Sequence, residues 1–226
     1  GLQPRGKSIA AAATLLLVSG NDITLGGGAN IGLGGAEFNH GLELRAANNL
    51  QLTNGNIYLA DNRSLKAYAD NDGSALGNVN IGAGTFKVGA GAGNTSGLMD
   101  VKGAGITVAV SGGGSSLVEV TGGGSQTFTA TNLDLQFLNQ NATSGDLQVR
   151  TNTGTQTLSG SLGVLNLQAG TGTGAGVSVG TTSGNQSVDA NELNISGGSS
   201  GFGNTARLYA GGAAQSISAA NNGINV

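Results

Sequence analysis

Asp70 and Asp72, one residue apart and with Asp61 one turn earlier, are the densest acidic spot in the chain. Carboxylates so spaced are the chemistry of a hard cation such as calcium, of whose roughly six to eight oxygen ligands they would supply two or three. The competing reading is a polar turn closed by Gly73. His40 is the only histidine, so one chain cannot assemble a histidine metal site or a paired acid and base. It sits in Phe38-Asn39-His40-Gly41, read as a solvated loop ahead of a strand. There is no cysteine, hence no thiolate ligand and no disulfide. Serines are plentiful, but none has an activating partner in view. The Gly-Gly-Gly runs at 26–28, 112–114 and 122–124 lack the Lys and helix of a phosphate loop and read as turns. Tyr58, Tyr68 and Tyr209 would stack on sugars if exposed, and otherwise fill or edge the body. No catalytic residue and no cofactor are assigned; Asp70 and Asp72 are the only metal candidates, and the chain reads as a non-enzyme.

The most regular chemistry is that of amides. Gln126, Gln156 and Gln186 recur 30 residues apart, and Gln215 follows after 29. Each stands two residues before an apolar side chain, Phe128, Leu158, Val188 and Ile217 in turn. Strand side chains alternate, so each Gln shares a side with its apolar partner. With the apolar set inside, the Gln set is inside or at a corner, where stacked amides hydrogen-bond along the stacking axis. The alternative is a row of sugar-binding amides. Thr127, Thr157, Ser187 and Ser216 then face outward beside Thr129, Ser159, Asp189 and Ser218. Asp189 interrupts this hydroxyl array, and the first half of the chain has no matching Thr column, which weighs against ice binding.

What positions these residues is a repeat. An apolar-x-apolar unit occurs eight times, at Ile23-Thr24-Leu25, Leu50-Gln51-Leu52, Val79-Asn80-Ile81, Ile106-Thr107-Val108, Leu133-Asp134-Leu135, Leu165-Asn166-Leu167, Leu193-Asn194-Ile195 and Ile224-Asn225-Val226. The intervals run from 27 to 32 residues with a mean of about 29. A period of this size marks a repeat architecture, and alternation within each unit marks strands. Further strands complete the coils: Leu42-Glu43-Leu44, Leu50-Gln51-Leu52 and Ile57-Tyr58-Leu59 make one coil. Lys66-Ala67-Tyr68, Val79-Asn80-Ile81 and Phe86-Lys87-Val88 make the next. In the second half Leu147-Gln148-Val149, Val177-Ser178-Val179 and Ala206-Arg207-Leu208 precede successive Gln units. The expected fold is all-β: a right-handed parallel β-helix of about 7–8 coils, three short strands per coil. Handedness follows from the general rule for parallel crossovers. At roughly 4.8 Å per coil, the rod would be roughly 35 to 40 Å long.

Composition agrees. Gly is 44 of 226 residues, apolar residues are 38%, and charged residues only 9% with a net charge of −3. Glycine serves the positive-φ turns that recur every coil. Nine Lys and Arg scattered singly give no footprint for nucleic acid. Pro4 is the only proline, in keeping with a body of central strands. The apolar run from Ile9 to Val18 is too short to span a bilayer and reads as buried strand; no transmembrane segment is expected. Residues 1–226 read as one continuous solenoid, with 1–18 the first coil or an amino-terminal cap and 124–226 the most regular coils. No charged or helical cap is visible at either end. The segment therefore reads as a piece of a longer stack, or as a unit that associates with copies of itself end to end or laterally.

Ser19-Gly20-Asn21-Asp22-Ile23-Thr24-Leu25, the stretch from Leu42 to Gly55, and the Gly-x-Gln-Thr/Ser units of the second half resemble filamentous-haemagglutinin-type repeats. The resemblance runs loosely over about residues 9–226. It implies a large bacterial exoprotein exported through an outer-membrane partner in two-partner secretion. The family's amino-terminal secretion domain usually carries Asn-Pro-Asn signatures, and here the only proline lies in Gln3-Pro4-Arg5. What the resemblance implies is thus shaft: a secreted, cell-surface fibrous protein acting in adhesion, biofilm or filament formation, with a host-cell or glycan receptor. The alternatives are a self-assembling extracellular filament subunit and, in another class, a β-helical protein that binds or degrades polysaccharides.

Overall fold

A computed structural model describes residues 13–74, 76–89 and 93–226. The described residues contain strands and turns and no helix, wound into a parallel β-solenoid of about seven turns. Gln3-Pro4-Arg5 and the start of the apolar run lie outside the described residues. Its later part, Thr14–Ser19, pairs with Gly41–Ala46 as a strand of the first coil, but it is not the buried strand expected: Leu16, Leu17 and Val18 are exposed.

Each coil contributes to three faces. The first face stacks Thr14–Ser19, Gly41–Ala46, Ser64–Tyr68, Leu98–Gly103 and Ser125–Ala130. The second stacks Ile23–Leu25, Leu50–Leu52, Asn78–Ile81, Gly105–Val110 and Leu135–Asn139. The third runs from Asn30–Ile31 through Gly55–Leu59, Gly84–Val88, Ser116–Val120, Leu147–Thr151 and Val177–Thr181 to Ala206–Ala210. In the last coils the first two faces join. Gln156–Gln168, Gln186–Ser196 and Gln215–Asn225 are single strands that pass around the corner. Their register slips there, between Gly160 and Val164 and between Ala190 and Glu192, which takes up the bend.

Period-2 alternation sends one side chain of each pair into the bore. In the second coil Leu42, Leu44, Leu50, Leu52, Ile57 and Leu59 are all buried, and each stacks on its counterpart in the next coil. Aromatic side chains enter sparingly: Phe128 and Phe137 meet edge to face at 5.6 Å in the fifth coil. Ala130, a small side chain, is the next inward residue of the same strand.

One unit slips from its expected place. Ile106 pairs with Leu135, so the second-face unit is Leu135-Gln136-Phe137 and the adjoining intervals are 29 and 30 residues. Leu133 lies outside the strand and is 48% exposed. The corner is longer here, with Asn132 N–H and Leu133 N–H both donating to Ala104 O. Alternation alone could not find this, because Leu133, Leu135 and Phe137 share one parity.

The corner between the third and first faces is the tightest. Gly124, Gly154 and Gly184 stack there, and a Cβ on Gly154 would lie 1.8 Å from Gly124 O. Thr151 Oγ1 donates to Gly154 O at 2.9 Å, and Thr181 does the same to Gly184. Gly154→Ala is expected to cost about 2–3 kcal/mol, because the preceding coil's backbone at Gly123 and Gly124 must move to admit the methyl group. Thermal unfolding of the variant checks this, and an unchanged melting temperature would show that the corner yields.

Candidate functional site

The outward side chains of the first face divide the stack into two chemical zones. Through the second, third and fourth coils the paired positions are Glu43 and Arg45, Lys66 and Tyr68, Asp100 and Lys102. From the fifth coil onward the same positions hold Thr127 and Thr129, Thr157 and Ser159, Ser187 and Asp189, Ser216 and Ser218.

In the charged zone, Arg45 pairs with Glu43, and Lys66 Nζ lies 3.9 Å from the other Glu43 oxygen. Tyr68 OH donates to Asp100 Oδ2 at 2.7 Å, and the Arg45 guanidinium lies 5.9 Å from the Tyr68 ring centre. Burial, reinforced by the hydrogen bond to Asp100, pushes the Tyr68 phenol well above its ordinary range, so it remains a neutral donor. A cleft of about 500 Å³ opens beside it, lined by Arg45, Tyr68, Asp70, Asn71, Asp100 and Lys102 among others. An aromatic ring flanked by two cations and two carboxylates can hold a polar ligand by stacking and hydrogen bonds. Sequence reading missed this pairing because it set Tyr68 in the strand Lys66-Ala67-Tyr68 but assigned no strand around Asp100, 32 residues on.

Asp70 and Asp72 lie at the rim of this cleft and next to it. Asp70 adopts a left-handed conformation, φ 59°, at the turn after the first-face strand. Ser74 Oγ donates to Asp70 Oδ1 and Ser74 N–H to Asp72 Oδ1, both at 3.1 Å. Asp61 follows the third-face strand and accepts Gly93 N–H at 3.1 Å, so it occupies a different corner of the coil from Asp70. The separation corrects the grouping of the three acids. Among the described residues no three of His, Cys, Asp or Glu converge.

Gln126, Gln156, Gln186 and Gln215 form one inward column, continuing a position that Leu42, Leu65 and Met99 fill in earlier coils. Gln156 Nε2 donates to Gln126 Oε1 and Gln186 Nε2 to Gln156 Oε1, each at 2.7 Å; Gln215 Nε2 donates to Gln186 Oε1 at 2.5 Å. The remaining amide hydrogens reach backbone carbonyls of the third face, Val118, Val149 and Val179. Gln126, Gln156 and Gln186 are buried, so no sugar reaches them. Phe128, Leu158 and Val188 are buried beside them, while Ile217, in the last strand, is 37% exposed.

His40 is not the solvated side chain expected. Its ring meets Phe38 edge-on at 5.3 Å, and its Nδ1 is buried without a hydrogen-bond partner. Tyr58 and Tyr209 project outward from the third face. On the same face, Glu119 is 4% exposed and sits between Lys87 at 3.1 Å and Arg150 at 2.9 Å, one on each adjoining coil. Sequence reading also passed over the Thr-x-x-Gly corners: Thr121, Thr151 and Thr181 precede Gly124, Gly154 and Gly184 by three residues, at the same 30-residue spacing as the glutamines.

The fold defines a β-helical repeat protein. No family model, curated protein or solved structure matches the chain. Among the described residues no helix is long and apolar enough to cross a membrane.

Proposed function

We propose that this chain is the structural shaft of a secreted, cell-surface fibrous protein of the filamentous-haemagglutinin type, serving adhesion or biofilm formation and exported through an outer-membrane partner. The observation that carries the reading is the continuous buried column of the first face, from Leu42 to the Gln ladder, in which each residue bonds or packs on its counterpart one coil away. Such a stack is stabilised along its axis by backbone and side-chain hydrogen bonds together, which suits a load-carrying spacer. The first-face cleft then supplies a polar contact on the flank of the shaft.

Electron microscopy of the purified chain over a concentration series, with antibody labelling of intact source cells, tests this. Discrete rods of roughly 35 Å and labelling without permeabilisation are the expected outcome. Long filaments with a fixed axial repeat would favour a self-assembling subunit instead, and labelling only after permeabilisation would remove the surface role.

A further inference from the structure

On the second face two rows of outward side chains run along the stack. One row, from Thr24 to Asn225, holds only Thr, Asn and Gln. In the row beside it Asp22, Asn49 and Asn78 are followed by Gly105 and then Asp134. These side chains work as brackets. Asp22 Oδ1 accepts Asn49 N–H at 2.8 Å, Asn49 Oδ1 accepts Asn78 N–H at 3.1 Å, and Asp134 Oδ1 accepts Val164 N–H at 3.0 Å.

Gly105 breaks the bracket row. A hollow of about 350 Å³ opens along this stretch, with Gly105 in its lining. Asn78 and Asn80 form one rim, Asp134 and Gln136 the other, Thr107 lies on the floor, and Leu133 stands at the end. Asn78 Oδ1 and Leu133 Cβ close over Gly105, lying 2.7 and 3.1 Å from the place a Cβ there would take. The rims belong to coils two rises apart, about 9.6 Å, a width that admits one sugar ring lying across the fourth coil.

From this geometry we infer that the notch over Gly105 binds a neutral glycan, one pyranose ring seated between the two rims. Amide oxygens and nitrogens, a threonine hydroxyl and one carboxylate match vicinal sugar hydroxyls as donors and acceptors. Leu133, exposed where its corner bulges, offers an apolar wall to the C–H side of the ring. Charge selects the class. The two rows contain no Lys or Arg, and their charged members are Asp22, Asp134 and Glu192, so a uronate or sulfated chain meets only like charge. A peptide would need several apolar subsites, and the notch has one. The inference is independent of the shaft reading, since it concerns a flank of the stack and not its mechanical role.

The test uses the full 226-residue chain, ¹⁵N-labelled, titrated with cellohexaose, maltohexaose and mannohexaose, and with hexagalacturonate as the acidic counterpart. At least one neutral hexasaccharide is expected to shift the Gly105, Thr107 and Gln136 amide signals, and hexagalacturonate to leave them unmoved. Gly105→Asn would displace the Asn78 and Leu133 side chains that line the hollow and should weaken that binding at least tenfold, with some loss of melting temperature. Gln136→Ala, which removes one rim without touching the core, should weaken it severalfold and serves if Gly105→Asn fails to fold. No shift with any neutral hexasaccharide, shifts confined to other faces, stronger binding of hexagalacturonate, or undiminished binding by both variants would each overturn the inference.

Discussion

Gln156→Leu is expected to lower stability by about 2–5 kcal/mol, whereas replacing Gln126, Gln156, Gln186 and Gln215 together by Leu should cost far less per residue. The single change strands two buried groups. Gln126 Oε1 loses its donor and Gln186 Nε2 its acceptor, and an unsatisfied buried polar group costs about 1–3 kcal/mol. The quadruple change removes donors and acceptors together. It also continues a column that the chain itself fills with Leu42, Leu65 and Met99 in earlier coils. Urea unfolding of the two variants checks the contrast. Equal cost per residue would mean that the amides stabilise by more than mutual satisfaction. Gln156→Glu adds a sign test. Flanked by Gln126 Oε1 and Val149 O, two acceptors, a carboxyl here is satisfied only when protonated, so its folded pKa must be raised. The variant should therefore be most stable below the ordinary Glu range near 4.3 and lose stability as pH rises through the folded value.

Excision of one complete coil should be tolerated, and excision of half a coil should not. Deleting residues 156–185 joins Thr155 to Gln186, which stands at the same place in the next coil, 30 residues on. Gln186 would then meet Gln126 and Val188 would meet Phe128, with every inward position preserved. The product should fold cooperatively and be shorter by about 4.8 Å, measurable by small-angle scattering. Deleting 156–170 instead sets the start of a third-face turn against a first-face strand and should abolish the β-sheet circular-dichroism signal. Repeat stacks sum nearest-neighbour terms, which is why a whole unit can be removed. A collapsed 156–185 deletion would show that these coils are not interchangeable.

How far the sequence discloses this molecule depends on whether a feature repeats. Period and alternation are legible because each inward position, such as Phe128, Leu158 and Val188, is constrained by a like neighbour above and below. The Gln column is legible for the same reason. Leu133 misleads because parity cannot separate it from Leu135, and only the hydrogen bonds of its corner place it outside the strand. Tyr68 with Asp100, and Glu119 between Lys87 and Arg150, are single events on outward positions, where the fold imposes no pattern. The hollow over Gly105 is legible least of all, since its lining comes from three coils and is assembled only when they are in register.

The glutamine ladder has a direction. Each amide gives its proton back to the coil before it and keeps its oxygen for the coil after it. A chain arriving amino-terminus first therefore meets, at every step, a finished coil whose open oxygen marks where the next glutamine belongs. The same coils released together from denaturant face four nearly equivalent partners. Out-of-order pairing between 30-residue neighbours then becomes the characteristic error of refolding. Vectorial delivery is thus an assembly instruction that the interior of the stack already encodes.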